Sequence, residues 1–490
     1  MILFYTLILS FPLMQHPLFG REVAGFTVEK YLGVCCIAYA LFYVAREKRH
    51  VPIFRSGPVQ AFLVFYLWAV ISYYGISGPD ASSDLIRVYT GHLAFMFVTF
   101  CLVDSIERLR WSLISCVAAM GLASLYCMRE WQKGIVEYGL GYRPGYVTGD
   151  PNYFTASAIL CLQAAIFFIL YRRRKWELWF ALASLAITIP AIIVTASRGG
   201  FIGLMAMLAF LVFRSRRPWR NGLALALPLL ASLAIMAALP QSPLDRLLHP
   251  DKSDATSADI RLQLWDAGMG MVRQHPVFGI GLGNFKSSVS GSFPSNADMD
   301  HIAHNTYMEN AAEMGIPGLL MFLVILGSTF VTLERSRRRA RGMGVEFIAQ
   351  IANTLQAGLF GFAFSIFFLS AEFLKLLWFS VFLSAALPQV LTASFSLQLA
   401  KAGLAGGPAE SATVQIPEIL QVRQVAPPSP AGDPGLSRGE QDHLEDQTGP
   451  AGPACGTSAT PTPGSDVLYN PDNLTSPLHA ILTAPPRRKS

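Results

Sequence analysis

Over its first 396 residues the chain alternates between long apolar stretches and short polar ones. A membrane span needs ~20 mainly apolar residues, and about twelve stretches approach or meet that. They are 2–18, 26–45, 57–77, 87–104, 111–128, 153–171, 177–195, 199–213, 221–239, 315–333, 347–369 and 374–394. The pattern predicts an all-α, polytopic membrane protein with a long, partly helical loop at 240–314. The stretch at 2–18 has neither a basic n-region nor a small-residue cleavage site, so it reads as a retained span. From residue 397 the pattern breaks. Segments such as PAGDPGLSRGEQ and GPAGPACGTSATPTPGS are too poor in apolar surface to fold alone. The expected organisation is a transmembrane domain at 1–396 and a disordered cytoplasmic tail at 397–490.

Composition agrees with this reading. The chain is 52% hydrophobic and 14% charged, where soluble domains are about a quarter charged. Its net charge of +6 is not gathered on one nucleic-acid-binding surface. The basic residues lie in alternate inter-span loops: REKRHVPIFR at 46–55, ERLR at 107–110, RRRK at 172–175, RSRRPWR at 214–220 and ERSRRRAR at 334–341. These loops carry roughly twice the Lys and Arg of the opposite loops, which places them and both termini on the cytoplasmic side. They read as solvated topology signals, and no nucleic-acid partner follows. The seven Cys show neither disulfide nor metal-ligand spacing.

The distinctive polar motifs then fall on the opposite, exterior side. They lie in the loop at 129–152, the TASRGG turn at 195–200, the long loop, and the AEFLK turn at 371–375. Within the long loop, Ile260, Leu264, Ala267 and Met271 follow helical spacing over 258–276 and predict an amphipathic interfacial helix, with Arg261 on its polar side. GIGLGNF at 279–285 lacks the spacing of a dinucleotide fingerprint and reads as a flexible turn. HNTYMENAAEM predicts a short helix, with Gly315 suited to its C-terminal cap and Pro317 to the first turn of the next helix. His304 then sits near the start of that helix, at the lipid–water boundary.

The candidate functional residues are Arg143, Asp150, Asn152, Arg198, Arg261, His304 and Asn305. Arg198 ends an apolar span and precedes two glycines, so it needs either an anionic ligand or water reached by snorkelling. Guanidinium groups suit bidentate contact with phosphate oxygens. Asp150 and Asn152 also suit simple helix capping. His301 and His304, with Asp298, Asp300 and Glu309 nearby, match no standard metal signature, so His304 is expected to act as a general base without a metal or other cofactor.

These segments resemble a known family. His304-Asn305 followed by Gly315-Ile-Pro-Gly318 resembles the His-Asn motif of bacterial O-antigen ligases. TASRGG resembles the Ser-Arg-Gly element of the wider O-antigen ligase and polymerase superfamily, and DPNYFT at 150–155 and HPVFGIGLGNF resemble the flanking segments. The resemblance covers roughly residues 140–330 and the spans on either side. It implies a metal-independent glycosyltransferase in the bacterial inner membrane. Such an enzyme moves a glycan from an undecaprenyl-pyrophosphate carrier to an acceptor hydroxyl on lipid, glycan or protein at the periplasmic face. On this resemblance Arg198 and Arg261 bind the donor pyrophosphate and His304 is the base, while Arg143, Asp150, Asn152 and Asn305 position substrate. Ligase, repeat-unit polymerase and protein O-oligosaccharyltransferase remain alternatives within the superfamily. A lipid-linked sugar transporter is the alternative outside it, although charges are few in the spans.

Overall fold

The computed structural model describes residues 1–16, 18–20, 22–23, 26–48, 51–77, 83–138, 142–171, 174–215, 218–237, 252–292 and 302–401. The tail expected from 397 is described only as far as the helix ending at Lys401; its remainder lies outside the described residues. The helices are α1 (Ile2–Ser10), α2 (Val28–Arg46), α3 (Gly57–Gly75), α4 (Asp84–Leu102), α5 (Ile106–Tyr138), α6 (Pro151–Leu170), α7 (Lys175–Val194), α8 (Arg198–Phe213), α9 (Pro218–Ala237), α10 (Lys252–Gln274), α11 (Phe285–Ser292), α12 (Thr306–Gly342), α13 (Glu346–Ser365) and α14 (Lys375–Lys401). One two-residue antiparallel pair, Glu22–Val23 with Phe26–Thr27, precedes α2.

The all-α architecture is as expected. Among the described residues, nine helices are long and apolar enough to cross a membrane: α2 to α7, α12, α13 with its 3-10 extension, and α14. The segment Ile2–Leu13 and α8 are shorter apolar helices. By this measure the described residues hold fewer spans than the about twelve stretches of the sequence pattern.

Packing follows side-chain size. Trp378 of α14 is fully buried, with its ring 4.8 Å from that of Phe62 on α3 and 5.5 Å from that of His92 on α4. Where small residues face each other, backbones approach closely, as is common between membrane helices. A Cβ on Gly203 of α8 would come 2.5 Å from the Gly361 carbonyl of α13, and a Cβ on Gly361 would come equally near the Gly203 carbonyl. This contact holds the helix beginning at Arg198 against the helix that leads into residues 366–371.

Two local readings are revised. The ERLR run is not wholly solvated. Arg110 is 1% exposed, and its Nε donates across 2.5 Å to Oε1 of Glu177, which is 2% exposed. Such a pair is costly to break because removing one partner strands the other's charge. The GIGLGNF turn is bonded in place rather than loose. Ile280 and Gly281 donate N–H bonds of 2.9 and 3.0 Å to the Ala312 and Glu313 carbonyls, and Leu282 donates one of 3.0 Å to Oγ of Ser72. These bonds brace the point where α12 breaks. Gly315 there has φ 72° and ψ −179°, a left-handed φ that favours glycine. The break falls where the sequence placed a helix end, and Pro317 opens the following turns.

Candidate active site

The TASRGG turn joins α7 to α8 and is locked from three sides. Ser197 caps α8 through its Oγ, which accepts from the Gly200 N–H at 3.3 Å. The same hydroxyl donates to Oδ1 of Asn152 at 2.8 Å. Arg143 reaches across with Nε to the Thr195 carbonyl at 2.8 Å and with Nη2 to Oδ1 of Asn152 at 3.1 Å. Thr195 and Thr155 share a hydroxyl–hydroxyl bond of 2.9 Å. Asp150 caps α6, its Oδ1 accepting from the Asn152 N–H at 2.7 Å. The structure thus gathers Arg143, Asp150 and Asn152 around the turn that presents Arg198, the exposed first residue of α8. Neither glycine after it has room for a side chain: a Cβ on Gly200 would meet Thr155, and one on Gly199 would come 2.7 Å from Cβ of Phe368.

His304 stands at the start of α12. Its φ of 48° is unusual for a residue with a side chain. Ala196, two residues before Arg198, has the same φ, and Lys48 is the only other such non-glycine among the described residues. Backbone strain of this kind concentrates at functional sites and costs of order 1–3 kcal/mol. Asn305 caps α12, its Oδ1 accepting from the Tyr307 and Met308 N–H groups at 3.0 and 3.1 Å. Thr306 clasps the segment after α13. Its N–H and Oγ both bond the Leu369 carbonyl, at 3.1 and 2.7 Å, and Oγ accepts from the Ala371 N–H at 2.9 Å.

Segment 366–371 is the meeting point of the site. Phe368 packs on Gly199, beside Arg198. Leu369 holds Thr306, two residues from His304. Phe367 meets the ring of Trp265, edge to face, with centroids 5.6 Å apart. Trp265 lies one turn after Arg261 on α10, which is half-buried there, and its Nε1 donates 2.9 Å to the Ala303 carbonyl. Elements bearing Arg198, Arg261 and His304 therefore converge on one short segment, although they are far apart in sequence.

The structure adds three acidic residues beside that segment. Glu309 and Glu313, one turn apart on α12, and Glu372 in the AEFLK turn are all buried. Oε1 of Glu313 accepts from the Phe285 N–H at 3.0 Å. Oε2 of Glu309 and Oε2 of Glu372 are buried without a hydrogen-bond partner among the described residues. Burial pushes the Glu372 carboxyl up to about 7, against the opposing pull of a backbone amide and the Thr306 hydroxyl. The sequence signals for this group were the i, i+4 spacing of Glu309 and Glu313 and the placing of the AEFLK turn on the same side as His304. Among the described residues no three His, Cys, Asp or Glu side chains are arranged to hold a metal ion. Asp298, Asp300 and His301 lie outside the described residues.

These features define a multi-pass helical membrane protein whose polar residues collect at the joined ends of several helices. Residues 183–323 match the family model described as O-antigen ligase, which supports the resemblance to the O-antigen ligase superfamily. That family comprises glycosyltransferase-like membrane enzymes of ligase and polymerase type, and implies lipid-linked glycan substrates. The matched stretch contains Arg198, Arg261 and His304. No curated protein matches the sequence significantly.

Proposed function

We propose that this protein transfers a glycan from an undecaprenyl-pyrophosphate carrier to an acceptor hydroxyl at the periplasmic face of the bacterial inner membrane, as an O-antigen ligase-like enzyme. The reading is supported by one observation above the others. Three residues chosen for their chemistry lie in the matched stretch and on elements that meet at 366–371. In this mechanism His304 removes the acceptor hydroxyl proton. The oxygen attacks the anomeric carbon, the carbon–oxygen bond to the pyrophosphate breaks, and the imidazolium later returns its proton to water. Arg198 and Arg261 stabilise the charge that grows on the departing pyrophosphate, the kind of preorganised electrostatics that contributes most to group transfer. Arg143, Asp150 and Asn152 act through the TASRGG turn, and Asn305 acts by fixing the first turn after His304.

The test is transfer of a labelled lipid-pyrophosphate oligosaccharide by the purified protein to candidate acceptors, with and without a chelator. Label on a lipid A core gives a ligase, and a ladder on the carrier lipid gives a polymerase. His304→Ala, Arg198→Ala and Arg261→Ala should each lower the rate by two orders of magnitude or more, in line with about 10²–10³ for the loss of one charge-stabilising donor. Unaltered transfer by His304→Ala would remove the base from this scheme. Translocation of the lipid with no transfer would make the protein a transporter.

A further inference from the structure

At the other end of α12 the run ERSRRRAR divides into two sets. Arg337 and Arg338 turn to Glu334, at 2.7 and 2.6 Å, and Arg214 joins the same carboxylate at 2.5 Å. Arg335 and Arg339, also one turn apart, instead line a cavity of about 260 Å³ together with Arg55, which lies just before α3. Among the described residues none of these three arginines has an ion-pair partner, and no Asp or Glu lines the cavity. Like charges at i, i+4 repel, so this pair is held at a cost unless an anion lies between them.

The remaining lining is polar where it meets the arginines. Ser336 is 2% exposed, yet its hydroxyl has no hydrogen bond among the described residues and faces the cavity. Oγ of Ser56 is buried without a partner and lines the same space. Ser56 precedes α3 without capping it through its side chain. Pro58 has no N–H, so at the start of that 19-residue helix the N–H groups of Gly57, which lines the cavity, and Val59 remain as donors. The far wall is apolar, formed by Met343, Pro388 and Leu391. Three cations, two hydroxyls and the Gly57 N–H suit the oxygens of a phosphate. Its apolar wall, at the ends of three spans, fits a lipid that carries the phosphate.

We propose that this cavity binds the phosphate of an anionic lipid headgroup on the basic face of the protein, at the opposite end of α12 from His304. The inference does not depend on the transfer reaction. It revises the reading of this run as a topology signal alone.

The experiment is native mass spectrometry of the full-length protein in detergent, titrated with phosphatidylglycerol, phosphatidylcholine or inorganic pyrophosphate. The wild type should retain phosphatidylglycerol over phosphatidylcholine. The double variant Arg335→Gln/Arg339→Gln should lose at least about tenfold in retention, because each charged hydrogen bond is worth roughly a factor of ten. Arg338→Gln, whose guanidinium is held by Glu334, should behave as wild type. Ser336→Leu, which fills the cavity without changing charge, should lose retention too and covers the case in which the double variant fails to fold. Retention of pyrophosphate alone, lost in the same variants, keeps the phosphate site and makes its ligand soluble. Equal phosphatidylglycerol retention by wild type and Ser336→Leu overturns the proposal.

Discussion

The indole Nε1 of Trp265 donates to the carbonyl of Ala303 across 2.9 Å, joining the helix that carries Arg261 to the residue before His304. If this bond aligns the two, Trp265→Phe should keep the ring contact with Phe367 and lose only alignment. A hydrogen bond worth about 1 kcal/mol net corresponds to roughly a fivefold lower transfer rate at unchanged protein level. Trp265→Ala also loses the ring contact and should fall further. Equal rates in all three proteins would take Trp265 out of the site.

Arg198→Lys keeps the charge at the head of α8 but not the planar fork. Recognition of pyrophosphate by paired N–H groups predicts that lysine recovers little of the activity lost in Arg198→Ala. The check is the initial rate at saturating acceptor, with donor concentration varied. Full recovery by lysine would mean that only a point charge is needed there.

The carboxyl of Glu372 is raised by burial from 4.5 to about 7. The folded state therefore binds a proton more tightly than the unfolded chain. Stability should fall as pH rises from about 4.5 to about 7 and then level off, because over that window the unfolded state ionises more readily. Glu372→Gln removes this group and should reduce that fall. Thermal unfolding midpoints at pH 5 and pH 7.5 measure it. An identical fall in wild type and variant assigns the dependence to other groups.

Two backbone positions with positive φ should respond in opposite directions. Ala196 has φ 48°, so Ala196→Gly relieves strain and should raise the unfolding midpoint by an amount equivalent to up to about 1 kcal/mol. Gly315 has φ 72°, and a Cβ there would collide with the Val277 carbonyl oxygen. Gly315→Ala should destabilise by more than ~1 kcal/mol and loosen the brace between the 276–282 segment and α12. A neutral Gly315→Ala would mean that the break in α12 moves freely.

The helices and the TASRGG turn were legible because their signals are local. Apolar runs mark the spans, Ser197 and the following glycines mark a helix start, and Gly315 with Pro317 marks the break in α12. What the sequence hid depends on distant partners. Arg110 reads as a surface charge until Glu177, 67 residues on, is brought beside it. GIGLGNF reads as a loose turn because its acceptors lie on another helix. The loop expected from 129 begins as helix, since α5 continues to Tyr138. Asp150 and Asn305 carry the polar atoms expected of site residues, yet both commit an oxygen to helix capping. Only the fold separates those two uses of the same side chain.

Thr306 finds its partner, the Leu369 carbonyl, 63 residues further along the chain. Synthesis runs from the N-terminus, so the histidine end of α12 leaves the ribosome well before the segment that clasps it. During that interval the Arg198 turn can already be braced by Arg143 and Asn152, which precede it. The proposed site is thus completed late, when α13 has entered the membrane and the chain has turned back toward α14. A nascent chain stalled before residue 369 would carry Arg198, Arg261 and His304 and still lack the clasp that ties the start of α12 to the segment after α13.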